Sequence, residues 1–268
     1  MTERHRLDSD WGKGFGRLHG KNALVTGSTR GLGRTMAEWL AREGANIVVS
    51  GRDGDDVQSS VEAVEALGVR AWGIPADLAQ VGDAHRLGTE AIAAAGHLDI
   101  LVNNAGMSIR GNFWEVSDED WEYQMNVNIR SPFILSQHAA AHMIERSIRG
   151  RIVSISTIGA FSGHKDGMVY NIAKAGLQAM TRNMSYELGP HGISVNAVAP
   201  GAVPDRPGES RDVTIDPNGP RSGMIPLGRY GRAEDIASAV VFFCLPESEW
   251  TTGQTLLVDG GHNSYLNE

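Results

Sequence analysis

A chain of 268 residues is long enough to bury a large core within one domain. Hydrophobic residues at 41% and charged residues at 21% place it among globular proteins rather than disordered or fibrous ones. Its 24 Lys and Arg against 32 Asp and Glu leave a net charge of -8, which excludes a nucleic-acid backbone as the main partner, because that binding needs clustered positive charge.

Residues 1–18 mix charges and glycines without an apolar period and read as a flexible tail ahead of one domain spanning 19–268. The polar opening has no apolar signal core, and no stretch approaches the ~20 apolar residues of a membrane span. A cytoplasmic protein with no membrane partner is expected. From residue 22 onward, short β-branched runs alternate with longer amphipathic stretches. The runs cover 22–27, 46–51, 70–75, 99–104, 151–156, 193–200 and 255–260; helical patterns include 31–44, 117–147, 168–189 and 232–245. This alternation predicts an α/β fold: a single doubly wound, parallel, seven-stranded Rossmann-like sheet with helices on both faces.

The first run leads into "TGSTRGLG" at 26–33, a glycine-rich turn that opens the first helix. Such a turn lets backbone N–H groups approach a pyrophosphate at the positive end of a helix. Gly27 permits the sharp turn, and Gly31 and Gly33 keep side chains away from the ligand and from the helix–strand contact; Thr29, Arg30 and Leu32 fill the turn. The second run ends in Gly51 and Arg52. A carboxylate there would hold a ribose 2′-hydroxyl and repel a 2′-phosphate. Glycine does not repel it, and Arg52, with Arg30 facing the same spot, can pair with it. The predicted cofactor is therefore NADP(H), with NAD(H) as the alternative through Asp53.

Further along, 168–189 places Tyr170 and Lys174 four residues apart on one helix face. A phenol of pKa ~10 is a poor base at neutral pH. A neighbouring ammonium would lower it and let Tyr170 exchange a proton with an alcohol or ketone. The stretch 200–228, rich in Pro, Gly and Asp, is too long for an idle connection and reads as a substrate lid, at about 202–228. Cys244 is the single cysteine, so no internal disulfide is possible. Its apolar surroundings make it a core thiol. No metal-ligand clustering is seen.

The ordered set "TGSTRGLG", "ADL" at 76–78, "NNAG" at 103–106, Asn128 in "MNVNIRSP", "SIST" at 154–157, "YNIAK" at 170–174, "NAVAPG" at 196–201 and "TGQTLLVDGG" at 252–261 resembles the short-chain dehydrogenase/reductase family. The resemblance runs from about residue 19 to 261. It implies that Asp77 and Leu78 contact adenine, that Asn104, Ala105 and Gly106 line the ribose and pyrophosphate region, and that Pro200, Gly201 and Val203 pass the nicotinamide. Tyr170 and Lys174 then serve both the reaction and the cofactor. The family carries a serine thirteen residues before the tyrosine. Thr157 stands there and keeps the hydroxyl, with Ser156 as the alternative through a one-residue shift. Asn128, with Asn126 as rival, would hold a water that links Lys174 to solvent. Asp205 stands where the family often has a threonine, which puts that cofactor contact in doubt.

The implied activity is hydride transfer between a nicotinamide and a carbonyl or secondary alcohol of a small ketone, sugar or polyol. A 3-oxoacyl-carrier reductase is one alternative, for which Arg146, Arg149 and Arg151 would have to form a basic docking patch. A non-catalytic dinucleotide sensor is another. Met107, Ser108, Trp114, His164 and Lys165 are expected to approach the substrate pocket, because they adjoin the site segments. A homotetramer or homodimer is the expected assembly.

Overall fold

A computed structural model describes residues 15–163, 165–204 and 224–264. Seven strands form one parallel sheet: β1 (Asn22–Val25), β2 (Asn46–Gly51), β3 (Ala71–Pro75), β4 (Ile100–Asn103), β5 (Arg151–Ile155), β6 (Ser194–Pro200) and β7 (Thr255–Val258). Their order is β3-β2-β1-β4-β5-β6-β7, and every neighbouring pair is parallel. Every residue of β1, β4, β5 and β6 is buried, which is why these strands read as near-continuous apolar runs rather than alternating ones.

Helices α1 (Gly31–Arg42), α2 (Gly54–Glu65) and α7 (Ala233–Cys244) cover one face. Met36, Leu40, Val57, Ile236, Val240 and Phe243 pack there against Val25, Ile47 and Val102. Helices α3 (Val81–Ala95), α5 (Ser131–Glu145) and α6 (Met168–Leu188) cover the other, where Leu87, Ala91, Leu135 and Met143 pack against Leu24, Leu101 and Ile152. Cys244 is buried, and desolvation pushes its thiol up to about 12.

Local chemistry sets the helix ends. Asp53 caps α2 by accepting from the N–H groups of Asp55 (2.9 Å) and Asp56 (3.0 Å). Ser117 caps α4 (Asp118–Met125) at the Asp120 N–H, with three acidic residues in the first turn. The long helix expected over 117–147 is interrupted by a π-helical turn, Asn126–Arg130, between α4 and α5. Pro132 is the local reason: it has no N–H to give the Asn128 carbonyl, as an α-helix would demand.

Residues 15–18, placed by the sequence in the tail, are described and contact the domain. Leu18 is buried, its N–H bonds to Glu43 O at 2.7 Å, and Arg17 pairs with the Glu43 carboxylate at 2.6 Å. Residues 1–14, His164, Asp205 and most of the stretch read as a lid lie outside the described residues. Among the described residues, no helix is long and apolar enough to cross a membrane, and no group of three His, Cys, Asp or Glu could hold a metal ion.

Candidate active site

Between β1 and β4 the strand order reverses, and ligands of doubly wound sheets bind beside the carboxyl ends of the strands at such a point. A cleft of about 790 Å³ lies there, running from Gly27 and Arg52 to Thr157 and Tyr170.

The glycine turn forms one wall. Gly27 (φ +62°) and Gly31 (φ +53°) adopt left-handed backbone that other residues enter only with strain. A Cβ on Gly33 would collide with the Gly27 carbonyl and with Asn104 Nδ2. Thr26 Oγ1 accepts from the N–H groups of Asn104 and Ala105, each at 3.0 Å, and Asn104 Nδ2 donates to Thr26 O (2.8 Å) and Gly27 O (3.1 Å). "TGSTRGLG" and "NNAG" are thus stitched into one wall, and the Asn104 amide braces the turn. No side chain caps α1, and its first turn holds no acidic residue. Its N-terminal amides and partial positive charge suit an anion.

At the far end, Thr29, Arg30, Leu32, Arg52, Asp77 and Leu78 line the cleft. Gly51 is required sterically: a Cβ there would lie 2.5 Å from Thr29 Cγ2. Arg52 Nη1 donates to Tyr123 Oη at 3.3 Å, so a residue of α4 reaches the tip of β2. Asp53 also borders the cleft, but Oδ1 of its carboxylate is bound to the start of α2. Asp77 accepts from the Ala79 N–H at 3.1 Å and donates its own N–H to Asp83 at 2.8 Å, which shapes the turn after β3. Ser131 Oγ ties Leu78 O to the start of α5 at 2.7 Å.

The other end holds the reactive side chains. Thr157, Tyr170, Lys174, Pro200, Gly201 and Val203 border the cleft beside Gly106, Met107 and Ser108. Lys174 is 2% exposed; its Nζ donates to Ile155 O at 2.7 Å and lies 5.6 Å from the centre of the Tyr170 ring. Burial pushes Lys174 down to about 8 and Tyr170 up to about 12. The expected acidification of the phenol by the ammonium is therefore not met in this geometry. Burial is what raises the phenol, and the Lys174 Nζ donates to a backbone carbonyl instead. At neutral pH the phenol holds its proton and is poised as a donor.

Both candidate hydroxyl residues line the cleft, and it is their hydrogen bonds that differ. Thr157 borders the cleft and accepts from the Gly159 N–H at 3.2 Å. Ser156 is 2% exposed; it donates to Lys174 O at 3.2 Å and accepts from Gln178 Nε2 at 2.9 Å. The two asparagines part as well. Asn126 donates to Ala79 O, towards the turn after β3. Asn128 is fully buried; its Nδ2 donates to Met107 O (2.7 Å) and Gln124 O (2.8 Å), and its Oδ1 accepts from the Met107 N–H (3.1 Å). A Cβ on Gly106 would sit 3.2 Å from Asn128 Oδ1 and 3.4 Å from Lys174 Nζ, so the three residues adjoin.

Of the described residues singled out from sequence for the site, Gly31, Trp114, Asn128 and Lys165 do not reach the cleft wall; Gly31 shapes the turn, and Asn128 sits one layer behind Gly106. Tyr123 and the Ile155 carbonyl were missed. Tyr123 meets Arg52 across 71 residues of chain, and a carbonyl leaves no side-chain signal.

A doubly wound sheet with an uncapped helix N-terminus at its reversal point is the architecture of a nucleotide-binding class of proteins. The family model described as enoyl-(acyl carrier protein) reductase matches residues 27–263, and the chain belongs to the short-chain dehydrogenase/reductase family. It is 38% identical over 250 residues to 2-dehydro-3-deoxy-D-gluconate 5-dehydrogenase of Escherichia coli, covering 91% of this chain and 96% of that one. It is 35% identical to a 3-oxoacyl-[acyl-carrier-protein] reductase of Aquifex aeolicus, over 91% of this chain and 98% of that one. A short chain dehydrogenase of Burkholderia cenocepacia, solved in complex with NADP, superposes with a TM-score of 0.82 at 36% identity, covering 92% and 99% of the two chains.

Proposed function

We propose that the chain is an NADP(H)-dependent oxidoreductase that moves hydride between a nicotinamide and the carbonyl or secondary alcohol carbon of a small ketone, sugar or polyol. One observation carries this reading: Tyr170, Lys174 and Thr157 stand on the wall of the same cleft that begins at the glycine turn. The α1 N-terminus would hold the phosphates of a dinucleotide in that cleft, and Arg30 and Arg52 would hold its adenosine end. The similarity to the NADP complex and to a sugar-acid dehydrogenase supports the cofactor and the substrate class.

When bound, the nicotinamide supplies the hydride. This chain's residues do the rest. Thr157 and Tyr170 donate hydrogen bonds to the substrate oxygen and stabilise the charge that builds there. Tyr170, held protonated by burial, delivers the proton to that oxygen. Lys174 holds its charge beside the phenol and reaches the nicotinamide ribose. Asn128 and Gly106 back Lys174, where a water would connect it to solvent. The test is turnover of purified protein with NADPH across a diketone, a keto-sugar acid and a 3-oxoacyl thioester. Oxidation of NADPH by one of the first two is expected. Binding of NADPH without turnover of any would leave only the sensor reading.

The carrier-protein reductase is the second reading, favoured by the Aquifex aeolicus relative. Its docking patch loses support. Arg149 and Arg151 sit at the start of β5, the opposite end from the cleft, with Arg149 facing Glu249 at 3.4 Å and Arg151 buried. We further propose a cytoplasmic homo-oligomer, since Phe133, Ile144 and Ile172 leave apolar surface exposed on α5 and α6.

A further inference from the structure

Ser156, Lys174 and Gln178 are each more than nine-tenths buried, at the one place where the end of β5 meets α6. Their contacts are reciprocal. The Lys174 side chain donates to the strand's main chain, at Ile155 O (2.7 Å). The side chain of the next strand residue, Ser156, donates to the helix main chain at Lys174 O (3.2 Å). Gln178, one helical turn beyond Lys174, closes the arrangement by donating to Ser156 Oγ at 2.9 Å.

We propose that Ser156 and Gln178 are positioning residues that fix the register of Lys174, and with it Tyr170 and Thr157, for the proposed reaction. This rests on the reading of the Tyr170–Lys174 site given above. The core around α6 consists of Ala173, Leu177 and Val169, whose packing is non-directional. Apolar contact alone tolerates small rotations of the helix over the strand end. Directional hydrogen bonds do not. Polar side chains in such a setting carry a desolvation cost that leucine would not. The Ser156–Gln178 pair offsets it by hydrogen bonding and gains a fixed distance between Ile155 O and the Lys174 Cα. Thr157 follows Ser156 directly. Because successive side chains of extended backbone point to opposite faces, a Ser156 hydroxyl anchored to α6 turns Thr157 towards the cleft. Ser156 borders the cleft, but both hydrogen bonds of its hydroxyl run to α6, so it acts through its neighbours rather than on substrate.

The test uses the full chain with Ser156→Ala, Gln178→Met and the double variant, each compared with Tyr170→Phe and Thr157→Ala. Melting temperature, NADPH dissociation constant, kcat and KM are measured with the fastest substrate of the panel above. The single variants are expected to melt earlier: Ser156→Ala leaves the buried Gln178 Nε2 without its partner, and Gln178→Met leaves Ser156 only its bond to Lys174 O. The double variant should recover much of the melting temperature, since both partners become apolar. Its kcat should nevertheless stay about 10- to 100-fold low, with KM and NADPH affinity near wild type, as misplacement of reacting groups predicts. Recovery of kcat together with melting temperature would show a packing role only and overturn the proposal. Loss of turnover in Ser156→Ala as complete as in Tyr170→Phe, with Thr157→Ala active, would make Ser156 a substrate contact and also overturn it. Should the double variant not fold, the Gln178→Met kcat decides: a wild-type value overturns the proposal. Full activity of Tyr170→Phe would instead refute the underlying reading of the site.

Discussion

Tyr170 and Lys174 show what a residue pattern tells and what it leaves out. Their spacing placed both on one face and in one cleft, but burial, which sets their proton affinities, is a property of the whole fold. Lys174, held near 8, has released its proton between pH 8 and its ordinary value of 10.5 while the unfolded chain still binds one. Wild-type stability relative to Lys174→Met should therefore rise with pH through that window. Urea unfolding of the two proteins between pH 7 and 9.5 checks this, below the range where the unfolded chain's tyrosines ionise; a constant difference would mean that Lys174 is not desolvated. Thr157→Ala should lower kcat by roughly 10²-fold and Thr157→Ser should restore most of it, because a donor to developing oxyanion charge is lost and regained. The arginine at the tip of β2 sets a third expectation. Arg52→Ala should reduce the ratio of kcat/KM for NADPH over NADH by about 10-fold, the size of one charge-assisted pair. Tyr123→Phe should reduce it less, since Tyr123 only steadies Arg52. An unchanged ratio in Arg52→Ala would remove the 2′-phosphate assignment.

Elements were legible where one local signal sufficed. Runs such as "NIVVSG" are fully wrapped by helices, so they are apolar on both faces and visible as strands; β2 covers the same residues, 46–51, as its run. The π turn at Asn126–Arg130 was not legible, because Pro132 after a polar "NVNIRS" reads equally as a kink, a break or a first helical turn. Its consequence is the position of Asn128, which bonds the loop after β4 from behind instead of facing the cleft. The glycine turn was legible as a turn, while its dependence on Asn104, 71 residues beyond Gly33 in the chain, was not. Gly33→Ala tests that dependence. Its methyl has no room between the Gly27 carbonyl and the Asn104 amide, so turn and loop must part. The variant should lose about 1–3 kcal/mol of stability, the usual cost of overpacking, and most of its NADPH affinity, read by thermal melting and by nucleotide fluorescence. Retained affinity would mean that the turn does not seat the pyrophosphate.

The sheet as a whole ends in two edges, β3 and β7, and an unpaired edge is a template for another chain. Around β7 the surface is apolar: Trp250 is 98% exposed, and Phe242 and Leu256 are also exposed. Fully exposed tryptophan beside an open strand is costly in an isolated protein and ordinary in a subunit. A second apolar surface lies on α5 and α6, where Phe133, Ile144 and Ile172 stand out. The resemblance to the family pointed to the helices at 117–147 and 168–189 and to the 252–261 terminus as assembly regions; which side chains stand out was not visible in the residue pattern, because an exposed Trp or Phe and a buried one look alike until the fold assigns them a side. Under the proposed assembly, two such surfaces would each serve one two-fold interface and so close more than two copies together. Light scattering should therefore give a tetramer for the wild type and dimers for both Trp250→Glu and Phe133→Glu, since each charge disables one interface and spares the other. The cleft is lined by none of Phe133, Ile144, Ile172, Phe242, Trp250 and Leu256, so NADPH affinity should survive dissociation in both variants. A monomeric wild type would leave the exposed tryptophan without a partner of its own kind and remove the assembly from the proposed function.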